Sequence, residues 1–454
     1  MCRLILAITI AGIVYIGQVQ PIAEGPLPLP VRTSNPVELC LNSRYSQHSL
    51  ARGEPALQHI SNILWAASSA PMLGSYRRVF VYTSLGSYLY DPNGHRLDRF
   101  SSEPTREGTF SIGYQADQVF DAGVSYMLAL LASVSLSNSP LPSIASCPKG
   151  LGLPSTRLYF GIQPVATLTS QLVVRCSLPQ DQAGWLPDPC TSGGLALEPV
   201  LARLNYTRHL VDAALTSQQI SQLLWAGYGC TAHYTSNARA GLTVPSAYAS
   251  YYLTGRVYLV AADDLLYRYM NRNPGTNLAS RDHRLELVDR PSRTRLEMAG
   301  LADIRSSLRE AVPDLPQASC YLILCLDKSN AAQEFAMLEV GFVAANVLVQ
   351  ASAMGLGCHF SLVTGSRQAA VQTATGIPTS DMPQVVVGIG HILKGDTDLD
   401  GIVDLHDMAI LASSWHLAWG QGGYDPRADM DRDGEVDMAD LALITDGWLT
   451  TVRR

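Results

Sequence analysis

The sequence predicts an α+β protein built from two copies of one domain, followed by a small all-α acidic module. Three observations carry this. Four segments recur in the same order along the chain, β-rich apolar runs alternate with helical ones, and the net negative charge is confined to the C-terminal end. Of 454 residues, 47% are hydrophobic and only 16% charged, a composition suited to an extensive core rather than long charged tails.

The repeat sets the domain organisation. RYSQHSLARGEPALQHISNILWA at 44–66 is answered by NYTRHLVDAALTSQQISQLLWA at 205–226, each closing on an amphipathic helix that ends in Leu-Trp-Ala. RVFVYTSLGSYLYDPNGHRLDRF at 78–100 is answered by RVYLVAADDLLYRY at 256–269 with DHRLELV at 282–288. ADQVFDAGVSYMLALLASV at 116–134 matches EFAMLEVGFVAANVLVQASAMGLG at 334–357, each a long apolar helix with an acid two residues before a Gly. LGLPSTRLYFGIQP at 151–164 matches TGIPTSDMPQVVVGIGH at 375–391. The copies therefore span about 35–170 and 195–392, joined by a Pro-, Gly- and Cys-bearing linker at 171–194.

Within each copy the order is helix, strand, turn, strand, helix, strand. Val79–Tyr82 and Val257–Ala261 are β-branched or aromatic and short, as buried strands are. Met337–Met354 and Val119–Val134 are apolar on nearly all sides, more than a surface helix needs, which places them in a core or between the copies.

The second copy resembles the nitroreductase family of FMN-dependent oxidoreductases, and within it the branch typified by the SagB-type azoline dehydrogenases. The residues that carry this are ISQLLWAGYG at 220–229, LTVPSAYASYY at 242–252, the YLVAADDLLYRY strand pair, DHRLELV, and EVGFVAANVLVQASAMGLG at 339–357. The resemblance implies FMN in clefts between paired domains, so two copies in one chain are expected to form an intramolecular pseudo-dimer with one or two clefts. It also implies a set of cofactor-binding residues. Arg208 retains the second cation of the family's phosphate motif, and the first copy has Arg44 and then Gln47 in that stretch. Pro245, Ser246 and Ala247 match a Pro-Ser-Ala loop that lies along the flavin. Gly357 and Gly365 sit where backbone approaches the ring, and Lys394 where a late cation meets the phosphate. A small-molecule redox substrate follows. Catalytic side chains beyond the flavin are not indicated, since hydride enters and leaves at the cofactor. The reading set against this enzyme is a non-catalytic extracellular binding or scaffold-associated protein derived from a flavoenzyme.

Residues 395–454 carry 12 Asp and 1 Glu against 4 Arg, leaving the rest slightly basic. Such a distribution points to a cation site and away from nucleic acid. DTDLDGIVDLHD from 396 and DMDRDGEVDMAD from 429 place Asp at loop positions 1, 3, 5, 9 and 12 with Gly at 6, the spacing of an EF-hand-like calcium loop. The expected ligands of two calcium ions are Asp396, Asp398, Asp400, the Ile402 carbonyl, Asp404 and Asp407 in the first loop. In the second they are Asp429, Asp431, Asp433, the Glu435 carbonyl, Asp437 and Asp440. Each loop leads into an apolar helix, and two units about 33 residues apart resemble a type I dockerin over 394–450. That resemblance implies a cohesin-like domain or cell-surface scaffold as partner, although Leu405, His406, Met438 and Ala439 depart from the hydroxyl residues usual at positions 10 and 11.

Residues 1–23 read as a signal peptide: Arg3, then an apolar run from Leu4 to Ile16, too short to span a bilayer. A secreted or extracytoplasmic protein, with no membrane span in its mature chain, is the expectation. Eight cysteines remain after Cys2. Cys176 with Cys190 is the favoured disulfide, and Cys325 in YLILC is expected as a buried thiol.

Overall fold

The computed structural model describes residues 25–44, 57–83, 85–102, 110–136, 156–160, 186–190, 193–234, 239–246, 250–272, 281–288 and 303–452. Residues 1–23, expected as a signal peptide, and Cys176 lie outside them, as do Gln47, Ala247 and most of the linker.

The first copy supplies α1 (Val37–Ser43), α2 (Leu57–Ser69), β2 (Arg77–Thr83), β3 (Gly86–Asp91), β4 (Arg96–Ser101), β5 (Phe110–Ala116), α3 (Val119–Ser135) and β6 (Thr156–Phe160), preceded by the short β1 (Gly25–Pro26). The second supplies α4 (Leu197–Ala202), α5 (Ser217–Tyr228), β7 (Cys230–Tyr234), β8 (Ala240–Leu242), β9 (Val257–Val260), β10 (Leu266–Met270) and β11 (Arg284–Leu287). It continues with α6 (Ile304–Ala311), β12 (Cys320–Asp327), α7 (Glu334–Ala353), β13 (Leu356–Leu362), α8 (Ser366–Thr375) and β14 (Asp381–His391). One six-stranded sheet runs β1-β4-β3-β2-β5-β6 and a second runs β11-β10-β9-β12-β14-β13, with antiparallel neighbours, while β7 and β8 pair as a separate antiparallel ribbon. Stripped of the edge strands β1 and β13, the two orders are the same in terms of the recurring segments.

The repeat also extends to buried polar clusters. In the first copy His95 shares hydrogen bonds with Ser61, Tyr90 and the Pro28 carbonyl. In the second, His283 meets Ser221 at 2.7 Å and Tyr269 at 2.8 Å, while Ser221 also donates to the Pro187 carbonyl. Each cluster pins the helix ending in Leu-Trp-Ala to the strands behind it. Burial pushes His283 down to about 4, so it remains neutral.

The copies meet helix to helix. α3 and α7 are buried along almost their whole length, and they touch where Gly123 faces Gly341. A Cβ added to Gly123 would lie 2.6 Å from the Leu338 oxygen, and one added to Gly341 would lie 2.6 Å from the Phe120 oxygen. The acid-x-Gly pattern thus owes its glycines to this crossing. α1 and α4 begin side by side as well: Val37 N–H donates to Leu195 O and Leu197 N–H to Asn35 O, at 3.1 and 3.0 Å. A single core runs from Val81 and Ile112 of one sheet through α3 and α7 to Leu259 and Leu322 of the other. Among the described residues α7 is the one helix long and apolar enough to cross a membrane, and it lies inside this core. Cys325 is buried within β12, its thiol pushed well above the ordinary value by desolvation.

The acidic module forms α9 (Leu405–Ser413) and α10 (Met438–Asp446), each opened by a capping box from Asp404 with Asp407 or Asp437 with Asp440. Its own core is small: Val403, Ile410, Leu411, Ala428, Val436 and Ile444.

Candidate functional site

The acid of each acid-x-Gly pair fastens a loop of its own copy beside the seam. Asp121 accepts from the backbone of Leu73 and Gly74. Glu339 accepts from Tyr228 and Ser246 hydroxyls, and Ser246 in turn accepts from Tyr251 N–H at 2.7 Å. Ser246 is therefore the hinge that ties the Pro245-Ser246 turn to α7.

Burial pushes the Glu339 carboxyl up to about 7, against hydrogen bonds from Ser246 and Tyr228 that pull it down. The linkage has a definite sign. Below about 4.5 the group is protonated folded or unfolded. From there to about 7 the unfolded chain releases a proton that the folded chain keeps, so stability falls as pH rises, by roughly 3 kcal/mol in total. Glu339→Gln is expected to remove this slope. Denaturant unfolding of both proteins at pH 5 and pH 7.5 checks it: parallel losses on going to pH 7.5 would show that Glu339 titrates normally.

The loop fastened by Glu339 receives an arginine from the other copy. Arg44, 2% exposed, donates to Thr243 O at 3.0 Å and Leu242 O at 2.7 Å. Arg272, 1% exposed, stands with its Cζ 4.2 Å from the centroid of the Tyr251 ring at the end of the same loop. Arg272 Nε and Nη2 have no hydrogen-bond partner. Two buried guanidiniums, one from each copy, thus flank the strained Tyr251, whose φ is +50°. A buried cation with free donors is costly unless an anion or acceptor meets it.

The sequence-derived flavin residues fall in two places. Pro245 and Ser246 belong to this seam site. Arg208 is exposed, two residues after Tyr206, which bridges to Cys358 of β13, and it donates to Asp314 O at 3.4 Å. Gly365 caps α8 nearby with φ +59° and ψ −129°, a conformation that requires glycine, and open space beyond it. Arg367, two residues on, pairs with Asp314 at 3.0 Å. Gly357 is a packing position, where a Cβ would lie 2.7 Å from Ile392 and 2.8 Å from Leu210. Lys394, at the start of the acidic module, pairs with Asp446 of its second helix at 3.2 Å. Arg44 and Arg272 were absent from the sequence-derived set. Arg44 stood in the recurring phosphate stretch, whereas nothing in the local pattern marks Arg272.

In the acidic module, one carboxylate oxygen from each of Asp396, Asp398 and Asp400 lies within 4.8 Å of the others, and the same holds for Asp429, Asp431 and Asp433. Gly401 and Gly434, with φ of +88° and +98°, make the turns at loop position 6. Positions 9 and 12 do other work. Asp404 and Asp437 cap the helices, while Asp407 accepts from Thr397 and Asp404 N–H, and Asp440 from Met430 and Asp437 N–H. Ile402 and Glu435 lie in isolated bridges to Thr451 and Ala418.

Residues 206–391 match the family model described as the nitroreductase family. A candidate nitroreductase of Methanocaldococcus jannaschii is 28% identical over 166 residues, covering 36% of this chain and 76% of that protein. Among solved structures, a candidate nitroreductase from Anabaena variabilis covers 82% of this chain and 94% of its own, at 13% identity and a TM-score of 0.49. An FMN-dependent nitroreductase of Clostridium difficile covers 42% and 86%, at 12% identity and a TM-score of 0.26. The match to the family model makes the second copy nitroreductase-like.

Proposed function

We propose that this chain is an exported FMN-dependent oxidoreductase acting on a small-molecule redox substrate, with its cofactor held at the seam of an intramolecular pseudo-dimer. The observation that carries the reading is Arg272, fully buried against Tyr251 with two nitrogens unpartnered, while Arg44 of the other copy bonds the Thr243 backbone and also acts on Tyr251. An anionic cofactor fits that donor set. FMN, when bound, supplies hydride transfer. The chain's own part is to bind and orient: Arg272 offers charge-assisted donors, Arg44 fixes the Leu242–Thr243 backbone, and Glu339 holds Ser246 and thereby the turn.

Arg208, Gly365 and Lys394 stand apart from this site, and Lys394 is engaged by Asp446. One cofactor per chain is the reading they favour. Titration with FMN, followed by quenching of flavin fluorescence, tests it. Arg272→Met is expected to weaken binding roughly tenfold or more, the worth of a hydrogen bond to a charged group, whereas Arg208→Ala is expected to change it little. Equal affinities for wild type and Arg272→Met would remove Arg272 from the site.

For the acidic module we propose calcium binding in both loops and a dockerin-like role in attaching the enzyme to a scaffold or surface partner. The donor set is all oxygen, as a hard cation wants, and Asp429, 2% exposed, keeps Oδ1 without a hydrogen-bond partner at its loop's cluster.

A further inference from the structure

We infer that the two acidic loops are also the surface by which the module seats on the two-copy body, so that calcium in the loops orders the body segment Arg203–His209. This rests on the calcium reading above and goes beyond it.

Most of the polar contacts fall on the loops rather than on the helices; between the loops, Trp419 packs edge-on against Trp65 and its Nε1 donates to Pro30 O at 3.3 Å. Arg203 Nη2 donates to Asp396 O at 2.9 Å, and Thr207 Oγ1 to Leu399 O at 2.8 Å. In the second loop Arg32 donates to the carbonyls of Arg432 and Asp433. Arg432 reaches back to Ser352 O, to Arg203 O at 3.1 Å and to Asn205 Oδ1 at 3.2 Å. Leu399 and Arg432 are the fourth residues of their loops, and both are left-handed, with φ of +61° and +63°. Such a conformation costs about 1 kcal/mol for a residue with a Cβ, and must be held by its surroundings.

A cation ligated at positions 1, 3 and 5 brackets position 4, and so fixes the carbonyls that the body uses. Asp429 Oδ1, buried and unpartnered, points to such a cation independently of the spacing. Charge does not oppose this: five aspartates per loop outweigh the two charges of one calcium, so Arg203 and Arg432, 8% and 6% exposed, still face anionic loops. The body side is equally connected. Thr207 N–H donates to Cys358 O and Cys358 N–H to Asn205 O, both at 2.9 Å, tying the docking segment to β13.

Hydrogen exchange of the full chain, with calcium and with chelator, tests the coupling, with calorimetry giving ion stoichiometry in parallel. Calcium is expected to slow exchange in both loops and, by roughly tenfold, in residues 203–209. Arg432→Met, and the milder Thr207→Val, are expected to keep two ions per chain while reducing the slowing at 203–209. Calcium that binds and protects the loops but leaves 203–209 unchanged would overturn the coupling and leave the calcium reading intact. A chain that takes up no calcium would remove both.

Discussion

Gly341→Val is expected to destabilise the chain by about 3 kcal/mol or more, the range of overpacking against an immovable neighbour. The added Cβ meets the Phe120 oxygen at 2.6 Å and the Gly123 Cα at 2.9 Å, both backbone atoms of α3, so no side-chain rotation relieves the clash. The helices must separate, and the apolar faces they bury lose contact at about 25 cal/mol per Å². Gly194→Ala is the control, since a Cβ there has nothing within 4 Å. Denaturant unfolding measures both. An unchanged midpoint for Gly341→Val would mean that α3 and α7 do not cross at these glycines, and the seam would have to be redrawn.

With calcium in both loops as proposed, its removal is expected to unfold residues 394–450 as a unit. The module's core is six buried apolar residues with six partly buried ones packed against them, too little to offset the entropy of ordering under 60 residues. Three carboxylates per loop converge within 4.8 Å and repel one another without a cation. Calcium at 100 times its dissociation constant stabilises by about 2.7 kcal/mol per site, enough to decide the balance. Circular dichroism of the isolated segment should show helix gained with saturation at two ions, and Asp400→Ala or Asp433→Ala should each abolish one site. Full helicity in chelator, unchanged by calcium, would make these aspartates caps and turn formers only.

Much of this architecture was legible in the sequence because duplication writes each structural demand twice. The acid-x-Gly pair recurs since both copies need an acid to hold a loop and a glycine to admit a helix. Ile-Ser-Asn or Gln, followed by an apolar pair and Trp-Ala, recurs because the Ser must reach a histidine just before a later strand of the same copy. The second-copy helix Met337–Met354 was readable from its apolar girth, and the structure carries it from Glu334 to Ala353. The seam site was less legible. Arg44 and the Thr243 carbonyl are 199 residues apart in the chain, and their meeting depends on how the copies pair. Arg272 follows a strand, where an arginine ordinarily signals nothing. The calcium spacing gave ten aspartates one role, yet only positions 1, 3 and 5 form the compact carboxylate clusters, because positions 9 and 12 also have helix ends and loop amides to satisfy. The seating of the module uses main-chain carbonyls of Asp396, Leu399, Arg432 and Asp433 together with the Arg432 side chain, and carbonyl contacts leave no residue pattern to read.

Counting flavin per chain tests the seam site most directly. Purified protein saturated with FMN and freed of excess by gel filtration should retain one flavin per chain, seen in its visible absorbance, and Arg272→Met should retain far less under the same treatment. A chain that holds no flavin, or two equivalent flavins undisturbed by Arg272→Met, would contradict a single cofactor site between Arg44 and Arg272. The first result would favour a non-catalytic binding protein descended from a flavoenzyme.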